Sequence, residues 1–425
     1  MTSNVYEFAA PAKSRDQLTE LIRMGARQIV HLAVEAELQD VLASYSDHRL
    51  EDGRAGVIRN GYQPARQIQT GIGPVSVRIP KIRSRTGEPA TFRSALVPPY
   101  IRKSRSLDAS ISWLYLKGVS TGEMGPALEA LVGPDAKGLS ASTVARLKTA
   151  WRQECDEWRQ MPLDRDRWVH VWADGIHGGL RVEHAKLCCL VVIDVNDRGE
   201  KKLLAVEDGV RESTQGWREV LLGLKARGMN APELAVGDGA MGFWSAQEEI
   251  WPGTRQQRCW MYKSANVLNA MPKSVQPKAK AAIHDIWQAD TREAAEAAFD
   301  LFIETWEDKY PKATHCLEKD RDELITFYDY PAKHWRSIRT TNPIESTFAT
   351  IRHRTRRSKG CLTRDGMLNM IFKLGLCAEG RWRRLHGFGE LGKVITGVKF
   401  RDGIEVVEGA ETNDKSDNQP ARIAA

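Results

Sequence analysis

The hydrophobic texture of this chain changes at Trp168, and that change limits the possible folds more than any other feature. "WVHVWAD" (168–174) alternates as a half-buried strand does, while "KLCCLVVIDV" (186–195) is a continuous apolar run suited to a strand covered on both faces. After the turn "NDRGE" comes a third strand pattern, "KKLLAVED" (201–208). An amphipathic helix follows, with Trp217, Val220, Leu221 and Leu224 on one face, and then a short strand, "ELAVGD" (233–238). Strands followed by strand–helix alternation predict an α/β domain, a mixed sheet with helices packed on it. From 275 to 338 the pattern is helical throughout, with Ile283, Ile286, Trp287, Phe299, Phe302 and Trp306 as apolar positions. That stretch interrupts the sheet pattern and is expected to be a helical insertion.

Three segments precede the sheet. Residues 14–44, within an N-terminal region of 1–50, form an amphipathic helix fit for docking, for dimerisation or simply for the surface. Between Asp52 and Leu107 stand eleven Lys/Arg against Asp52 and Glu88. This basic segment, 51–105, is rich in Gly and Pro and is expected to be partly extended, either as a solvated linker or as an arm that tracks phosphates. Residues 106–160 are helical. In "SASTVARLKTAW", Val144, Leu147 and Trp151 make a buried stripe, and Ser142, Arg146, Thr149 and Gln153 face outward. A helix-turn-helix presenting that face to a DNA groove is one reading, and an ordinary three-helix domain is the other.

Composition narrows the class. A chain of 425 residues is long enough for two or three domains. No apolar run approaches the ~18 residues of a membrane span, and the first residues lack the apolar core of a signal peptide. A cytoplasmic, nucleoid-associated protein with no membrane partner is expected. Seven cysteines, an odd number without CxxC spacing, fit reduced thiols better than a disulfide framework, and the adjacent Cys188 and Cys189 suit core packing. The net charge of +7 is unevenly spread: from Asp402 onward six acids face only Lys415 and Arg422, so 401–425 is expected to be a disordered acidic tail.

Three carboxylates stand out. Asp174 ends "WVHVWAD", Asp238 ends "ELAVGD", and each is followed by glycine. Ligands of open α/β sheets gather at the carboxyl ends of strands, although Asp-Gly is also ordinary turn chemistry. Glu345 heads the segment "TTNPIESTFATIRHRTRRSKG" (340–360), whose body is crowded with cations. With Asn342 as N-cap, Glu345 would sit where a carboxylate caps a helix. Alternatively, the three acids together would make an all-oxygen site for hard divalent cations, with the basic helix body holding a phosphodiester backbone.

"WADG", "VGDG", "QRCW" and "TTNPIESTFATIRHRTRRSKG" resemble the Mutator-type transposases of bacterial insertion sequences, members of the DDE recombinase superfamily. The likeness runs from about Glu7 to Gly387. It implies a ribonuclease-H-like catalytic core in two parts, 166–274 and 339–400, split by the all-helical insertion 275–338. It also implies an N-terminal helical domain that binds terminal inverted repeats. Asp174, Asp238 and Glu345 would be the catalytic, metal-binding triad for two Mg²⁺ ions, with Mn²⁺ as an expected substitute. The substrates implied are double-stranded DNA, both terminal repeats and target, worked on by a homodimer or higher oligomer. Ser142, Arg146, Thr149, Cys259, Tyr262, Lys263, Arg352, Arg354, Arg356, Arg357 and Lys359 are the residues expected on DNA. One departure stands out: the family's Cys-x-x-His becomes Cys259-x-x-Tyr262, and tyrosine does not titrate near neutral pH. That departure leaves open a catalytically impaired DNA-binding repressor, and a ribonuclease-H-like nuclease that only hydrolyses is a third reading.

Overall fold

The computed structural model describes residues 17–117, 119, 123–132, 141–179, 186–209, 212–239, 241–344, 348, 349, 351 and 363–406, with the side chains of 141–144, 178, 179, 186, 187 and 241 excepted. The chain divides into two compact units, residues 1–149 and 150–425.

In the first unit, helix α1 (Gln17–Ser44) buries Val34 and Leu38 against four short strands. Strand β1 (Val57–Tyr62) pairs antiparallel with β4 (Pro80–Ser84), and β2 (Arg66–Thr70) with β3 (Gly73–Val77). The β2–β3 turn is closed at Gly73, whose φ of 97° suits glycine and where the Arg23 guanidinium occupies the space a Cβ would need. Val75, Val77, Ile79 and Ile82 point inward, while Ser76, Arg78, Lys81 and Arg83 point to solvent. The basic segment is therefore a folded sheet sharing one core with α1 and not a solvated linker, and residues 1–50 and 51–105 do not separate as domains. Helices α2 (Arg105–Lys117) and α3 (Met124–Val132) meet around Leu107, Ile111, Met124 and Leu128, with Leu147 of α4 (Ala141–Arg159) packed against them.

The second unit is built on five strands: β5 (Trp168–Gly179), β6 (Lys186–Asn196), β7 (Lys201–Gly209), β8 (Leu234–Gly237) and β9 (Arg255–Arg258), in the spatial order β7-β6-β5-β8-β9. The β7-β6-β5 half is antiparallel, and β5-β8-β9 is parallel. The fold is thus mixed α/β. Helices α5 (Thr214–Ala226) and α6 (Met241–Ile250) cover one face, joining Trp217, Leu221, Leu224, Phe243 and Trp244 to Val171, Leu190, Val192 and Leu204. Ser213 caps α5 by accepting from Gly216 N–H at 3.1 Å.

After α7 (Trp260–Asn269) come α8 (Gln276–Gln288), α9 (Arg292–Trp306), α10 (Pro311–Glu318), α11 (Arg321–Leu324) and α12 (Ala332–Ile338). Ile283, Ile286, Phe299, Phe302 and Trp306 are buried there, and Trp287 is half-buried under the Arg339 guanidinium at 5.2 Å. Helix α13 (Arg364–Glu379) then lies on the other face of the sheet, where Gly375 meets Leu203 and Glu379 accepts from Leu203 N–H at 2.9 Å.

Two expectations are corrected. Strand β5 does not end at Asp174: its ladder with β6 continues to Gly179 opposite Lys186, while its other neighbour, β8, stops at Gly237. Nor does a tail begin at 401. Phe400–Arg401 pairs with Ile404–Glu405 through a turn at Asp402 and Gly403, and Gly403 N–H reaches the Tyr328 carbonyl at 3.1 Å. Residues 407–425 lie outside the described ones. Among the described residues, no helix is long and apolar enough to cross a membrane, and Cys155, Cys188, Cys189, Cys259, Cys316 and Cys377 are free thiols.

Candidate active site

Strand register creates the site. In the parallel ladder of β5 and β8, Ala173 stands opposite Gly237, so the next residue of each chain segment, Asp174 and Asp238, emerges beside the other. A third carboxylate, Glu212, joins them from the connection between β7 and the cap of α5. One oxygen from each of Asp174, Glu212 and Asp238 lies within 4.8 Å of the other two. Glu212 was not anticipated from the sequence. The signal that finds it is topological: two antiparallel steps make β7 run in the same direction as β5, so the loops after both open at the same edge.

Asp174 is the buried member of the three, and Glu212 and Asp238 are half-buried. The Asp174 carboxylate accepts from Gly175 N–H at 2.7 Å and from the Tyr262 hydroxyl at 3.1 Å. Burial, followed by the charge of Asp238, nevertheless pushes its pKa up to about 7. Glu212 is raised for the same two reasons, burial first, with His177 opposing the rise from 3.1 Å. The backbone carbonyl of Asp238 accepts from Trp244 Nε1 at 2.8 Å and from Arg258 at 3.1 Å, fixing the turn that presents its carboxylate. Three crowded carboxylates with an oxygen-only donor set fit a hard divalent cation, whose charge would relieve the repulsion that now favours proton uptake.

The remaining expected residues divide. Tyr262 faces this centre through its bond to Asp174. Cys259 and Lys263 do not face DNA, because both are interior. Cys259 is buried, its N–H donates to the Gly237 carbonyl at 2.8 Å, and its sulfur accepts from Thr341 N–H at 3.3 Å. Lys263 is buried as well, holding the Asp320 carboxylate and, at 2.8 Å, the Cys316 carbonyl. Arg146, Thr149 and Gln153 are exposed on α4. Glu345, Arg352, Arg354, Arg356, Arg357 and Lys359, with the side chain of Ser142, lie outside the described residues. Residues 342–344 are helical, so Asn342 lies inside the first turn and the boundary falls one residue earlier, at Thr341, the residue that Cys259 holds.

Comparison with known proteins bears on most of the chain. The profile of the Mutator family of transposases matches residues 2–371. The chain is 49% identical over 282 residues to the transposase for insertion sequence element IST2 of Acidithiobacillus ferrooxidans, covering 66% of this chain and 95% of that protein. It is 46% identical to the transposase for IS6120 of Mycolicibacterium smegmatis over 68% of this chain and 90% of that one. The transposase for IS905 of Lactococcus lactis is 28% identical over 84% of this chain and 88% of that one. With a profile match spanning most of its length and relatives near half identity, this chain belongs to the Mutator family of transposases.

Proposed function

We propose that the protein is a DDE transposase that binds the terminal inverted repeats of its element, hydrolyses the phosphodiester at each end, and directs the freed 3′-hydroxyl against another DNA phosphate. The observation that carries this reading is the pair Asp174 and Asp238, side by side at the parallel junction of β5 and β8, in a chain of this family. The strand order, an antiparallel β7-β6-β5 meander continued by parallel β8 and β9, supports a ribonuclease-H-like core. In this reading Asp174, Asp238 and Glu345 would hold two Mg²⁺ ions, with Glu212 as a further carboxylate beside the two aspartates, and Arg352, Arg354, Arg356, Arg357 and Lys359 would hold the phosphodiester backbone. When bound, such ions polarise the scissile phosphate and generate the attacking oxygen nucleophile.

The chain's own residues prepare for this. Gly175 N–H and the Tyr262 hydroxyl hold the two oxygens of Asp174, so its carboxylate is oriented before any ligand arrives. Tyr262, in the family's histidine position, thereby supplies a neutral donor to a catalytic carboxylate. That role favours an active enzyme over the repressor reading. Lys81, Arg83 and the exposed face of α4 with Arg146 and Thr149 supply cations and polar groups for DNA. Acting on two DNA ends calls for at least a dimer.

Incubating the full chain with duplexes carrying its element ends and Mg²⁺ tests the proposal. Joined strands are expected. Cut ends without joining would indicate a nuclease, and bound but intact DNA a repressor.

A further inference from the structure

Beside the carboxylate centre, β5 and β6 place a different donor set. His177 and Cys188 are directly opposite one another in the antiparallel ladder, and side chains of such a pair share one face of the sheet. Glu212 reaches the same spot, its Oε1 lying 3.1 Å from His177 Nε2. One donor atom from each of the three, nitrogen, sulfur and oxygen, lies within 4.8 Å of the other two. Two of the three are carried on hydrogen-bonded strands, which hold their spacing more firmly than loops do. Cys188 forms the inner wall and the exposed His177 the outer one, so one side is open to water.

We infer that His177, Cys188 and Glu212 form a second cation site, for a borderline transition ion such as Zn²⁺ with water completing four-coordination. Mixed imidazole, thiolate and carboxylate ligation suits Zn²⁺ and not Mg²⁺. Binding sends the Cys188 thiol proton to solvent and places the sulfur's charge on the ion. Glu212 belongs to both donor sets, so an ion here withdraws a carboxylate from Asp174 and Asp238. The site would thus let zinc antagonise the neighbouring centre. It stands on its own geometry, whether or not the transposase reading holds.

Co²⁺, which reports thiolate ligation by a near-ultraviolet charge-transfer band, is the probe. Titrated into the full chain, it should give that band at one ion per chain, removable by Zn²⁺. Cys188→Ser should abolish the band. His177→Ala, a change at an exposed position, should weaken Co²⁺ binding at least ~10-fold, and Asp238→Asn should leave the band in place. No thiolate band, a band that survives Cys188→Ser, unchanged affinity in His177→Ala, or loss of the band in Asp238→Asn would each overturn the proposal. Failure of the transposase reading would instead appear in DNA cleavage and joining, with the Co²⁺ band intact.

Discussion

Two regions of this protein gather like charges, and they do so under opposite conditions. At the junction of β5 and β8, Asp174, Glu212 and Asp238 bring carboxylate oxygens within 4.8 Å of one another, with Asp174 buried. Along β4 and just past it, Lys81, Arg83 and Arg85 stand exposed at every second residue. Arg83 and Arg85 there line an open surface depression with Arg54. In the first region burial, and after it the charge of Asp238, raise the Asp174 pKa, so the folded state is held below its full stability until a proton or cation arrives. In the second, water and salt screen the repulsion beyond about 8–10 Å, so the charges cost the fold little and remain available to a polyanion. Like-charge clustering thus has two meanings, a demand for a counter-ion where it is buried and a docking surface where it is exposed.

The largest difference should appear in stability. The pKa of Asp174, raised to about 7 from an ordinary value near 3.8, means that the folded state loses stability as pH climbs from about 4 to 7 and levels off above. Asp174→Asn removes that loss. In cation-free buffer its melting temperature should exceed the natural protein's by several degrees at pH 8, and the gap should close toward pH 4. A gap independent of pH would mean that burial and the Asp238 charge do not raise the Asp174 pKa. Arg83→Gln with Arg85→Gln should, by contrast, change stability by no more than about 0.5 kcal/mol.

A smaller effect is expected at Tyr262. Its hydroxyl lowers the Asp174 pKa, so Tyr262→Phe should slow cleavage about 10-fold near neutral pH and move the rate–pH profile upward. An unmoved profile would reduce the tyrosine to packing. The mildest change belongs to the exposed region. In the Arg83, Arg85 double variant, the slope of log affinity for duplex DNA against log salt should flatten by roughly 0.9 for each phosphate that is no longer neutralised. An unchanged slope would make the stripe an ordinary solvated surface, and the comparison would fail on that side.

Much of the central sheet is legible in the residues themselves. The apolar run of β6, the turn at Asn196–Glu200 and the stripe of α5 all carry their period locally, because each is buried on a regular lattice of neighbours. What escapes notice depends on partners distant in sequence. "RQQR" (Arg255–Arg258) has no strand-like texture, yet it pairs with β8, and the Gln257 amide is satisfied inside by Leu324 and Phe327. Lys263 reads as a surface cation until Asp320 is folded against it. Glu212 sits in no motif and enters the site only because of the direction of β7. In 57–84, Gly and Pro dilute an alternation that becomes visible once α1 covers it.

In the proposed function the acids at the β5–β8 junction carry phosphodiester chemistry and do not serve merely as turns. Asp238→Asn tests it most directly, because a neutral amide preserves the turn's shape while removing the charge that a hard cation requires. Binding to terminal-repeat DNA, melting temperature, and Mg²⁺-dependent cleavage and joining would be measured on one preparation. Binding should match the natural protein, melting in cation-free buffer should be equal or higher because a charge that raises the Asp174 pKa is gone, and cleavage and joining should fall by at least ~10³-fold, the several kcal/mol that metal-ion stabilisation supplies. A variant that cuts and joins DNA at near-natural rates would contradict the account.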